Sequence, residues 1–279
     1  MSEQPAPVPM AAVPKAAVPV TAVPMTMAPL EGPPGAPVLV LGNSLGTSAA
    51  VWDRQVPQFR QYFRLLRFEL PGHGGSPASP GPYTIAGLGA GVLSLLDTLG
   101  VDRASYCGIS LGGMIGMWLA AHAPDRVAAL GLVCTSAYLP PASAWLARAD
   151  QVLAAGMASV CGPVVGRWFT PEYAAKEPAV VEVFRAEFQR TDPGGYAGCC
   201  AAIAGMDQRA TLAAIRAPTL VLAGRDDVAT PPQHGEVIAR GITGARVEVI
   251  PAAAHLAPVS APARVTAALL AHMRAAAAR

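Results

Sequence analysis

Six short apolar runs recur along this chain with helix-patterned segments set among them. They are VLVL (38–41), RLLRFEL (64–70), SYCGI (105–109), VAALGLVCT (127–135), TLVLAG (219–224) and RVEVIP (246–251). Runs of this length suit buried strands, and VAALGLVCT lacks the alternation of a strand with one wet face. Residues 85–99 place leucines at helical spacing, 111–124 close at Pro124, and 232–240 and 260–275 follow the last two runs. Apolar strands alternating with helices imply a parallel sheet covered on both faces, an α/β architecture. With 279 residues, 52% of them hydrophobic, the chain can bury such a core as one domain with an insertion or as two small domains.

Residues 138–210 break this rhythm. They are helical in character and carry Trp145, Trp168, Phe169, Tyr173, Phe184, Phe188 and Tyr196. The expectation is a helical cap inserted over the strand ends, with 36–137 and 211–279 forming the core. Residues 1–35 are dense in Pro, Ala and Val, and Glu3 and the recurring prolines argue against a secretory signal. Proline blocks helix, so this leader is expected to be disordered or extended, with an edge strand around 17–26. Charged residues make up 14% and net charge is +2, which gives no reason to propose nucleic acid or an anionic membrane as partner. No apolar run approaches the roughly 18 to 20 residues of a membrane span. The five cysteines include no CxxC pair and read as buried free thiols in a reducing compartment, ahead of a vicinal Cys199–Cys200 disulfide.

The chemistry starts at CGISLGGMIG (107–116). A strand that turns at once into a helix strains its turning residue, Ser110, and needs small neighbours, which Gly108 and Gly112 supply. The serine oxygen then projects at the carboxyl edge of the sheet, and the Leu111 N–H at the helix start favours developing negative charge there. A serine needs a base. Among His73, His122, His234, His255 and His272, His255 follows the last strand in PAAAHLAP, where a loop can lean over the sheet edge. His73 reads as a structural loop residue, His122 as a helix end, and His234 and His272 as surface residues. LAGRDDVATPP offers Asp226 and Asp227 as the acid that orients the base. NSLG (43–46) follows the first core strand and makes the Leu45 N–H the second candidate oxyanion donor.

From about residue 36 onward the chain resembles the α/β-hydrolases, and the 3-oxoadipate enol-lactonases in particular. GNSLGTSAAVWDRQVPQF, PGHGGS, GISLGGMIG, RWFTPEY, TDPGGYAGCCAAI and AGRDDVATPP carry the resemblance. Two of these stretches lie in the cap, where substrate families diverge most. Related sequences place the acid three residues after a glycine and four before a proline, which favours Asp227 over Asp226. The resemblance implies a cytoplasmic, cofactor-free enzyme that opens 3-oxoadipate enol-lactone in the β-ketoadipate route of aromatic degradation. Its partner is a small carboxylated lactone. Arg148 and Arg167 are then candidates to hold the substrate carboxylate, and Trp145, Trp168 and Tyr196 to wall the pocket. A broad carboxylesterase, a cofactor-free perhydrolase and a ligand receptor of the same fold are the rival expectations. Relatives usually carry a His-Gly pair where this chain has NSLG, and often an aspartate and an arginine where it has FELPGHGGS.

Overall fold

A computed structural model of the chain describes residues 20–277. Its seven-stranded sheet has the order β1-β3-β2-β4-β5-β6-β7. The strands are β1 (Thr26–Met27), β2 (Val38–Gly42), β3 (Arg64–Glu69), β4 (Ala104–Ile109), β5 (Val127–Val133), β6 (Thr219–Gly224) and β7 (Arg246–Ile250). Neighbours from β3 across to β7 pair in parallel, and β1 runs antiparallel to β3. Every residue of β2, β4 and β6 is buried, which is why those runs show no polar alternation. β7 is the outer edge, and its Arg246 and Glu248 face solvent. β5 ends at Val133 rather than 135, because Cys134 turns the chain at φ 44°.

The helices are α1 (Val56–Phe59), α2 (Ile85–Thr98), α3 (Leu111–His122), α4 (Ala142–Ala155), α5 (Ala158–Val165), α6 (Pro171–Lys176), α7 (Pro178–Arg190), α8 (Pro193–Ala204), α9 (Pro232–Gly241), α10 (Ala257–Ser260) and α11 (Pro262–Ala277). Local chemistry sets several ends. Thr84 caps α2 by accepting the Gly87 N–H at 3.0 Å, and α3 stops just before Pro124. None of the described helices is long and apolar enough to cross a membrane. All five cysteines are free and buried.

Strand order decides where a site can form. The chain steps from β2 outward to β3, then returns to place β4 on the other side of β2 before continuing to β5. The loops after β2 and β4 therefore open side by side at the carboxyl ends, where open parallel sheets hold their ligands. Helices α4 to α8 form an insertion between β5 and β6. It leaves and returns through one neck, where Tyr138 bridges Asp207 and the Gln208 N–H donates to the Ala137 carbonyl at 2.8 Å. Within it α4 packs on α8 and α5 on α7.

Of residues 20–35, expected to be disordered or extended, 20–31 run largely as extended chain with Val23 buried, and 32–35 form an exposed bend and turn. The Val23 N–H donates to Gly87 O at 3.0 Å, and the Glu31 and Leu65 backbones exchange bonds of 3.3 and 2.7 Å. The edge strand is only Thr26–Met27, because Pro24 and Pro29 lack the N–H groups that would extend it. The rest of the expected strand, 17–19, lies outside the described residues.

Gly91 of α2 is what lets this segment lie flat. A Cβ there would overlap the Val23 carbonyl. Gly91→Val is expected to lift the segment and cost about 1 to 3 kcal/mol in urea unfolding, the usual range for overpacking.

Candidate active site

Ser110 is the single residue between β4 and α3. It takes φ 54° and ψ −118°, a conformation that side chains rarely adopt. Its N–H donates to Val133 O at 3.0 Å, and the Thr135 hydroxyl donates to its carbonyl at 2.7 Å. A Cβ on Gly108 would overlap the Gly112 carbonyl, and one on Gly112 would overlap the Gly42 carbonyl. Both positions must stay bare for strand, turn and helix to approach. The Gly112 N–H donates to Asn43 O at 2.8 Å, which ties the loop after β2 to the start of α3. Among the described residues, no backbone acceptor takes the Leu45 or the Leu111 N–H.

His255 lies five residues beyond β7 and is buried. Its Nδ1 stands 2.9 Å from Asp227 Oδ2. The Asp227 carboxylate also accepts the Ala229 and Thr230 N–H groups at 2.8 and 3.0 Å and the Thr230 hydroxyl at 2.7 Å. Burial alone would push this carboxyl up. The imidazole and the Thr230 donors outweigh it and hold Asp227 well below the usual carboxylate range. An anionic Asp227 keeps the proton of His255 on Nδ1 and leaves Nε2 as the free base. Asp226 is exposed, and only its backbone is bonded, to Ala253 O. The structure thus brings Asp227, not Asp226, to the imidazole.

Ser110 and His255 line one cavity of about 230 Å³. Leu45, Trp145, Arg148, Arg167, Trp168 and Tyr196 line it too, so all five residues suggested from the insertion reach it. Leu111 is fully buried beneath and does not line it. Trp168 serves twice, since it also meets Phe188 edge-on at 5.6 Å. Arg148 lies over the Trp145 ring, 4.5 Å from its centroid. Arg167 Nε donates to Pro163 O at 2.9 Å. Among the described residues neither arginine has an acidic partner. Burial and the neighbouring Arg148 charge push the Arg167 pKa down. Thr230 and Thr135 escaped the sequence reading. Thr230, three residues past Asp227, carried a usable signal.

The pattern of the alpha/beta hydrolase fold family matches residues 37–262. The chain belongs to that family. The 3-oxoadipate enol-lactonase 2 of Acinetobacter baylyi is 37% identical over 226 residues, covering 81% of this chain and 84% of that protein. The enol-lactonase from Burkholderia xenovorans LB400 superposes with a TM-score of 0.87 at 37% identity, over 90% of this chain and 96% of that one. A hydrolase from Pseudomonas aeruginosa PA01 gives 0.86 at 45% identity, over 89% and 93%.

The remaining histidines of this hydrolase have other surroundings. His122 ends α3, stacked on Trp118, with its Nδ1 2.9 Å from Trp118 O. Two expectations are corrected. His272 is buried rather than at the surface, because α11 lays that face on the sheet, and its Nε2 meets Pro218 O at 3.1 Å. His234 is half-buried rather than exposed, at the start of α9.

His73 is fully buried in its loop, with Nδ1 2.9 Å from Pro71 O and its ring 6.5 Å from that of Tyr196. Burial lowers its pKa to about 4, only partly opposed by Pro71 and Asp192. Between pH 6.5 and 4 the unfolded chain therefore binds a proton that the folded chain refuses, and this group's contribution falls as pH falls. Comparison with His73→Gln isolates it from other titrating groups. The stability difference between protein and variant is expected to shrink by about 3 kcal/mol from pH 7 to pH 4 in urea titrations.

Proposed function

We propose that this hydrolase opens 3-oxoadipate enol-lactone to 3-oxoadipate, with Ser110 as nucleophile, His255 as base and Asp227 as the acid that orients it. The observation that supports this reading most is the 2.9 Å bond from His255 Nδ1 to Asp227, on a cavity shared with Ser110 and two arginines that have no acidic partner among the described residues. Similarity to two enol-lactonases supports the choice of substrate. The free, buried thiols support a reducing, cytoplasmic setting.

His255 Nε2 takes the Ser110 proton as the oxygen attacks the lactone carbonyl. The oxyanion accepts the Leu45 and Leu111 N–H groups, each donor of this kind contributing roughly 100- to 1000-fold in kcat. Collapse breaks the ring C–O bond and expels an enolate, which takes a proton and ketonises. The new acid stays esterified to Ser110 until water, deprotonated by His255, attacks and releases it. The substrate keeps one carboxylate throughout. Arg148 and Arg167 bind it, and its charge relieves the repulsion between them.

Ser110→Ala is expected to cut lactone turnover by about 10⁴-fold or more with the fold intact by circular dichroism. Asp227→Asn is expected to cost about 10³- to 10⁴-fold in kcat, and Asp226→Asn, at an exposed site, no more than about twofold. Parallel kinetics on the two variants check this, and the reverse order would assign the acid to Asp226.

Arg148→Ala and Arg167→Ala are each expected to raise KM for the carboxylated lactone about 10- to 100-fold, the worth of a charged hydrogen bond. KM for a neutral aryl acetate should stay unchanged. Equal efficiency on lactone and aryl acetate in the unaltered protein would favour the broad esterase.

A further inference from the structure

Two ionisable side chains that take no part in the mechanism above touch the loop after β2, Glu69 and Glu187, and Glu69 makes more bonds to it. Glu69 ends β3 and is half-buried. Its Oε2 accepts Asn43 Nδ2 at 3.1 Å, and the Ala49 N–H donates to Oε1 and Oε2 at 3.0 and 3.1 Å. One carboxylate thus grips residues 43 and 49, the two ends of the loop that carries Leu45. Asn43 extends the linkage. Its Nδ2 also donates to Phe68 O at 2.9 Å, and its backbone carbonyl accepts the Gly112 N–H at 2.8 Å. A continuous path of hydrogen bonds therefore runs from Glu69 through Asn43 to the residue after Leu111. Leu45 lies two residues from Asn43 on the other branch.

We propose that Glu69 is a positioning residue whose carboxylate fixes the spacing of the Leu45 and Leu111 N–H groups. The inference rests on the reading of Ser110 as nucleophile. Every hydrogen-bond partner of this carboxylate is an N–H donor, so an ionised, acceptor-only group suits the place and an amide or a protonated acid does not. Oxyanion stabilisation needs donors placed in advance, so slack between these two N–H groups would be felt in kcat.

The charged groups facing Glu69 define how it titrates. Glu187 of α7 approaches from the insertion, where its carboxylate accepts the Ser48 N–H. Asp53 adds a second negative charge. Arg67 on β3 is the facing cation, and it is shared with Glu31 at 2.6 Å and Asp53 at 2.7 Å. Burial pushes the Glu69 carboxyl up to about 7, with Glu187 adding to the rise and Ala49 and Arg67 opposing it. As pH falls through about 7, Glu69 takes a proton and one oxygen turns from acceptor to donor. The competent form is therefore lost on the acid side.

The test is pre-steady-state acylation of the full chain by p-nitrophenyl acetate, read as the nitrophenolate burst. Glu69→Gln is expected to slow acylation about 10- to 100-fold with KM within about twofold, and Glu69→Asp, which restores a carboxylate, to recover part of the rate. The wild-type acylation rate should fall on the acid side with one proton more than that of Glu69→Gln. Glu187→Gln should keep this additional proton and move its midpoint to lower pH. A wild-type burst abolished by Ser110→Ala but unchanged in Glu69→Gln overturns the inference and leaves the nucleophile in place. A burst that survives Ser110→Ala removes the nucleophile reading itself. Should Glu69→Gln fail to fold, the wild-type profile decides, and a one-proton fall overturns the proposal.

Discussion

The backbone at Ser110 is the constraint on which the site depends. A non-glycine residue held in so sparse a region costs about 1 to 3 kcal/mol, and such a conformation persists only where its surroundings over-determine it. Here β5 accepts its N–H, Thr135 binds its carbonyl, and α3 begins one residue later among fully buried side chains such as Met114 and Ile115. β4 sits between β2 and β5, so the turn cannot relax without disturbing both neighbours. The same strand order brings the loop after β2 beside it and leaves the Leu45 and Leu111 N–H groups without a backbone acceptor among the described residues.

How much of this could be read in the sequence follows from which forces are local. The strands and long helices were legible to within a few residues, because a fully buried strand reads as a short unbroken apolar run and a helix as apolar residues at helical spacing. Ser110 and His255 stood out as candidates because a turn from strand to helix and a loop after the last strand leave few alternatives, and both line one cavity. Spacing in relatives favoured Asp227 over Asp226. What separates them physically is tertiary, namely the burial of Asp227 and its bond to an imidazole 28 residues away. The seating of residues 21–25 was hidden for the same kind of reason, since the space they fill is opened by Gly87 and Gly91 on α2 far along the chain.

His272 is a different kind of miss. Val265, Leu269 and Met273 mark the buried face of α11, and position 272 falls on that face at helical spacing. The helical period alone carried this placement. The buried ring is tolerated because Nε2 finds the Pro218 carbonyl, whose bond is invisible in sequence.

The division of chemistry between core and insertion has a physical basis. Under the proposed mechanism the core supplies the groups that meet a transition state and must be rigid. The insertion supplies Arg148 and Arg167, long side chains that line the same cavity and suit recognition of a charge. Yet the insertion is bonded beside the candidate site at two places. The Leu256 N–H, next to the candidate base, donates to Trp168 O at 2.9 Å, and Glu187 accepts the Ser48 N–H beside the oxyanion loop. Movement of α7 or of the Trp168 turn would therefore reach His255 and the loop that carries Leu45 together. Through one backbone bond and one bond to a carboxylate, the insertion is tied to the segments that carry His255 and Leu45, so under the proposed mechanism a residue such as Glu187, which does not line the cavity, bears on the rate of turnover.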